Sequence, residues 1–79
     1  MKGIVRWFSP LKGYGFIYSR EAGRDFFVHV SAIPKKADGE RVIYKDDQVE
    51  FETEEAVKGL KAVNVKIILK GENHGSTNN

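Results

Sequence analysis

The chain has 79 residues, 41% of them hydrophobic, no cysteine and a formal net charge of +2. That length makes one small domain without the interior for the buried catalytic apparatus of larger enzymes, and the missing cysteines exclude disulfides and thiolate metal sites. The two histidines, His29 and His74, are far apart in sequence and no apolar run approaches the roughly 20 residues that span a bilayer, so no metal, no cofactor, no membrane and a cytoplasmic location are expected.

Lys2 to Phe8, rich in Ile, Val and aromatics, reads as a first strand closed by the turn-like cluster Ser9-Pro10-Leu11-Lys12-Gly13. The second strand, Tyr14 to Ser19, is the most informative stretch. Period-two geometry puts Tyr14, Phe16 and Tyr18 on one face and leaves Gly15 and Ile17 on the other. In so small a domain aromatics normally go inward, so three on one strand face, preceded by Lys12, suggest a platform for nucleobases with a cation nearby for phosphate. Glycine recurring between such rings points to close approach of another backbone or a bend in the sheet.

Arg20 to Arg24 fits a short hairpin connection, and Phe26 to Val30 a third strand ended by Pro34. Alternation makes Phe26, Val28 and Val30 core and leaves Phe27 and His29 exposed, beside Tyr14 and Phe16 if strands two and three form a hairpin. The connection from Lys35 to Asp47 is the longest, and such loops are commonly functional or mobile. Gln48 to Thr53 alternates with Val49 and Phe51 inward. Lys58-Gly59 fits a turn, and Lys61 to Leu69 a fifth strand with Val63, Val65 and Ile67 inward. Residues 1–70 then form the domain, and 71–79, with nothing to bury, a disordered tail. Five short antiparallel strands in about 70 residues favour an all-β barrel, because closure removes exposed sheet edges.

Charge is unevenly spread. The first twenty residues hold Lys2, Arg6, Lys12 and Arg20 and no acid, whereas Asp46 to Glu55 hold six acids and no base. One side of the molecule would attract a polyanion and the other keep it soluble, although solvated strand edges explain charge alone equally well.

At this point the residues resemble a family. Trp7-Phe8, Lys12-Gly13-Tyr14-Gly15-Phe16-Ile17, Phe27-Val28-His29 and Ser31-Ala32-Ile33 look like the cold-shock domain with its RNP1 and RNP2 motifs in order, and the similarity runs from about Gly3 to Ile67. The resemblance implies a five-stranded antiparallel OB-type barrel that binds single-stranded RNA and single-stranded DNA as a monomer. It also implies an RNA chaperone or transcription antiterminator of a cold-shock or general stress response. Carried over by position, the surface comprises Arg6, Trp7, Phe8, Lys12, Tyr14, Phe16, Phe27 and His29, with Lys58 as a phosphate contact. Tyr18 lies outside the family's usual set and is added by period-two alternation. Val30 stands where the second motif usually has an aromatic, and the long loop offers Arg41 or Tyr44 in place of the family's phenylalanine.

Each assignment has a structural rival. Trp7 groups with Val5 by strict alternation, so a buried tryptophan is one reading, and only a bulge would bring Trp7 and Phe8 onto one surface. Phe8 and Phe27 are alternatively core residues, and Lys12 and Lys58 alternatively solvated charges. His29 is read as a stacking group, because no acid is placed by sequence to make it a catalytic base. The leading function is binding of unpaired strands without catalysis, over about six or seven nucleotides. The rival is a protein-interaction module on the same aromatic face.

Overall fold

The computed structural model describes residues 1–57 and 59–71. Lys58 and residues 72–79, and with them the expected phosphate contact and most of the expected tail, lie outside the described residues. Five strands, β1 (Lys2–Ser9), β2 (Tyr14–Ser19), β3 (Arg24–His29), β4 (Gln48–Ala56) and β5 (Gly59–Leu69), close into a barrel in the order β1-β2-β3-β5-β4. The all-β, five-stranded barrel expected from the sequence is the fold observed. One detail differs. The β3–β5 seam, Phe27 opposite Lys61 and Val28 opposite Ala62, is parallel, while the other neighbours are antiparallel. Strand direction cannot alternate all the way round a ring with an odd number of members, so one seam has to be parallel.

The local chemistry sets the strand ends. Gly13 takes φ 82°, which lets its N–H donate to the Ser9 carbonyl at 2.7 Å and closes the β1–β2 turn. Ser19 is buried, and its hydroxyl accepts from Ala22 N–H at 3.2 Å within the β2–β3 turn. Val30 does not extend β3 as expected. Its N–H donates to the Gly13 carbonyl at 2.9 Å, and the chain bends into a single 3-10 turn, Val30–Ala32, with Val30 only half-buried.

At the far end β4 runs past Thr53 to Ala56, where Ala56 pairs with Gly59. Val63 is not the inward residue that alternation predicts. Asn64 takes a left-handed φ of 51°, so one extra residue of β5 lies between the pairs Glu50–Lys66 and Glu52–Val63 and the inward phase shifts to Ala62 before the bulge and Val65 after it.

Inside, Phe26 and Phe51 meet at a ring-centroid distance of 5.4 Å, surrounded by Val5, Ile17, Val28 and Val49. The second half of the long connection is anchored to this core. Ile33 and Ile43 are buried in it, and Arg41 Nη1 donates to the Ile33 carbonyl at 3.0 Å. Asp47, 1% exposed, accepts through one carboxylate oxygen from Tyr44 N–H at 2.9 Å and through the other from Gly71 N–H at 2.8 Å. A buried carboxylate bonded to two segments ties the loop to Gly71, which is itself buried although it opens the stretch expected to have nothing to bury.

Replacing Asp47 by Ala strands those two amide protons. The expected loss is about 2–4 kcal/mol of unfolding free energy, read from the urea midpoint at unchanged slope. A loss below about 1 kcal/mol would show that the carboxylate does not hold the loop.

Candidate nucleic-acid interface

The site begins with an irregularity in β1. Val5 lies opposite Ile17, but Trp7 lies opposite Phe16, so Arg6 is the extra residue of a bulge. Strict alternation would have sent Trp7 inward with Val5. The bulge turns it out instead, and Trp7 is 41% exposed. Directly beneath, the buried Gly15 faces Phe8; a Cβ there would come within 2.2 Å of the Trp7 carbonyl oxygen and 2.7 Å of the Phe8 Cα. Of the two reasons open for the alternating glycines, close backbone approach or a bend, the first is present at Gly15.

Four rings form a continuous patch on the outside of β1, β2 and β3. Trp7 meets Tyr14 at 5.4 Å and Phe16 at 5.8 Å, Tyr14 stacks on Phe27 at 5.6 Å with planes 27° apart, and Phe16 meets Phe27 edge-on at 6.0 Å. The register explains this. Phe16 lies opposite Phe27 and Tyr14 opposite His29 across β2 and β3, so alternate residues of both strands share the outer face. These edge and offset contacts hold the rings at set angles while leaving Phe27 37% exposed.

The other expected residues divide. His29 is exposed at the end of β3, and Lys12 is exposed on the β1–β2 turn. Phe8 is half-buried and packs against the core, away from the ring contacts of the patch. Tyr18 and Arg6 pair with each other. The Arg6 Cζ sits 4.7 Å from the Tyr18 ring centroid, and its Nε donates to Asp25 Oδ1 at 2.9 Å, Asp25 being Tyr18's neighbour on β3. This triad, exposed enough that each contact is worth about 1 kcal/mol or less, engages the Arg6 charge internally. In the long loop, Tyr44 is exposed with Lys36 Nζ 4.9 Å from its ring centroid.

Sequence reasoning missed two parts of the site. Asp25 shares strand parity with Phe27 and His29, so alternation along β3 was signal enough to place it on the outer face. The second part is a wall. A groove of about 640 Å³ runs between Phe16, Phe27 and His29 on one side and Ala56, Val57, Gly59, Leu60 and Lys61 of the β4–β5 hairpin on the other. Nothing in the pattern of residues 56–61 signals that wall, because the parallel β3–β5 seam creates it. Among the described residues, no group of three or more His, Asp or Glu is arranged to hold a metal ion, and no helix is long and apolar enough to cross a membrane.

A family model described as the 'Cold-shock' DNA-binding domain matches residues 1–68. The chain belongs to the cold-shock domain family. It is 48% identical over 63 residues to the major cold shock protein of Micrococcus luteus, covering 80% of this chain and 91% of that protein. Over 68 residues it is 44% identical to a cold shock-like protein of Thermotoga maritima, covering 86% of this chain and 98% of that one. The cold shock-like protein CspC of Escherichia coli is 43% identical over 68 residues, covering 86% of this chain and 96% of its own length. Cold-shock domains bind single-stranded nucleic acid and are a non-enzymatic family. Nucleic-acid binding in the cold-shock response is the function this membership carries, and an exposed aromatic cluster is present on the barrel.

The Arg6–Asp25 pair makes a specific prediction for this cold-shock domain. Asp25→Asn frees the Arg6 guanidinium without removing the side chain's bulk. The slope of log affinity against log salt for a single strand should then steepen by about 0.7, one additional phosphate contact. An unchanged slope would show that Arg6 does not reach the phosphate backbone.

Proposed function

We propose that this chain binds single-stranded RNA and DNA by stacking successive bases on Trp7, Tyr14, Phe16, Phe27 and His29. Lys12 contacts phosphate at the margin, Lys58 does the same, and Arg6 joins them where it is released from Asp25. The observation that carries this reading is the continuity of the patch: each of the four rings lies within 5.4–6.0 Å of at least one other, on the exposed side of the barrel. Every base has a π-face, so a row of fixed rings binds unpaired strands with little regard to sequence, each stacked base being worth about 1–3 kcal/mol. A duplex keeps its bases stacked on one another and offers none of them to the rings.

In this reading residues 1–70 are the whole binding domain, which acts as a cytoplasmic monomer with no cofactor and no catalytic step. The mechanism is passive. Binding only the open form of a weak hairpin shifts its equilibrium by mass action, so the protein melts marginal structure without ATP. That is the action of an RNA chaperone, and on a nascent transcript it is antitermination. The RNA chaperone role is supported by the family match together with a face built for bases rather than for base pairs.

The test is a titration followed by Trp7 fluorescence, using a short oligothymidine, an oligouridine and a duplex of similar length. Both single strands should quench the emission, the duplex should not, and Phe16→Ala or Phe27→Ala should each cost about 1–3 kcal/mol of affinity. Equal binding of duplex and single strand would overturn the stacking mechanism. Absence of any binding would turn the aromatic face into a docking surface for another protein.

A further inference from the structure

His29, like Trp7 and Tyr14, has a directional polar edge as well as a flat face, and its edge is fixed by a contact to the backbone. Its Nδ1 lies 3.1 Å from the backbone N–H of Ser31 and 2.9 Å from the Ser31 hydroxyl. A backbone N–H has no lone pair to give and can only donate, so Nδ1 accepts and carries no proton. In the neutral imidazole the proton then sits on Nε2. The contact also caps the 3-10 turn Val30–Ala32, which holds the ring's Nδ1 edge against the backbone and leaves the Nε2 side facing away from it. His29 is exposed and lines the groove together with Phe16 and Phe27. Among the described residues, the other side-chain donor lining that groove, Lys61 Nζ, is a point charge already 3.5 Å from Glu54 Oε1.

We infer that His29 reads base edges as well as stacking: its Nε2–H donates to a carbonyl oxygen of a nucleobase in the groove, and Ser31 is the positioning residue that keeps the ring in the donating form. Thymine, uracil, cytosine and guanine offer such a donor a carbonyl oxygen, whereas adenine offers only ring nitrogens. The inference rests on the single-strand reading above, and it assigns a polar selectivity that stacking alone does not supply.

Two measurements test it on the full chain. Long-range proton–nitrogen NMR of the free protein, in mildly alkaline buffer, should show the His29 proton on Nε2, and should still show it in Ser31→Ala, which keeps the backbone donor. A proton on Nδ1 would overturn the inference. The second is a double-mutant cycle with oligothymidine and a strand of the same length whose thymines are replaced by difluorotoluene, which matches thymine's shape but lacks its carbonyl oxygens. The wild type should prefer thymine by about 2- to 10-fold more than His29→Phe does, because Phe keeps a stacking ring and loses the donor. Equal preference in the two proteins would overturn the inference while leaving stacking intact. If the wild type binds no oligothymidine at all, the single-strand reading itself fails and takes this one with it.

Discussion

The passage of β1 over Gly15 is the contact on which the site depends. With no side chain at that position the Trp7 carbonyl and the Phe8 Cα settle onto the β2 backbone, where any Cβ would collide with them. The bulge at Arg6 sits across from this contact and reverses the phase of β1, so Trp7 joins Tyr14 and Phe16 outside while Val5 stays in the core. Phe8, on the other phase, packs toward the interior. One missing side chain and one extra residue thus decide which aromatic is exposed and which packs against the core.

The same strands serve both purposes because a pleated strand has two independent faces. Ile17 and Val28 fill the barrel while Phe16 and Phe27, on the same two strands, are turned outward. Exposed rings carry an aggregation hazard. Here each ring leans on another at a set angle, which covers part of its surface and pre-pays the ordering cost of a stacking platform.

Closure supplies what no single strand has. The parallel β3–β5 seam sets the β4–β5 hairpin beside Phe27 and His29 and so makes a groove out of an open face. Asp47 and Ile43 anchor the long loop's return to β4, which joins β1 and completes the ring. Asp46 and Asp47 also exchange backbone bonds with Val5 at 2.9 Å, next to the bulge that turns Trp7 out. Loop anchoring and ring placement are parts of one arrangement.

The residues by themselves determined the strand count, the barrel, the family and the pairing of Tyr14 and Phe16 with Phe27 and His29, because alternation and turn chemistry act between neighbours in sequence. For Gly15 they allowed a close backbone approach or a bend, without choosing between the two. What they left open or placed wrongly sits where the period breaks: the β1 bulge that exposes Trp7, the left-handed Asn64 that puts Ala62 rather than Val63 inside, and the 3-10 turn that takes Val30 out of β3. Tyr18 has the parity of the ring patch, yet the pairing across β3 gives it Asp25 and the Arg6 guanidinium for company instead of rings. A bulge costs one residue of local pairing and is chosen for what it gains across the barrel, and the groove wall exists only once the odd ring of strands has closed. Those are contacts between segments distant in the chain, so only the tertiary structure could decide them.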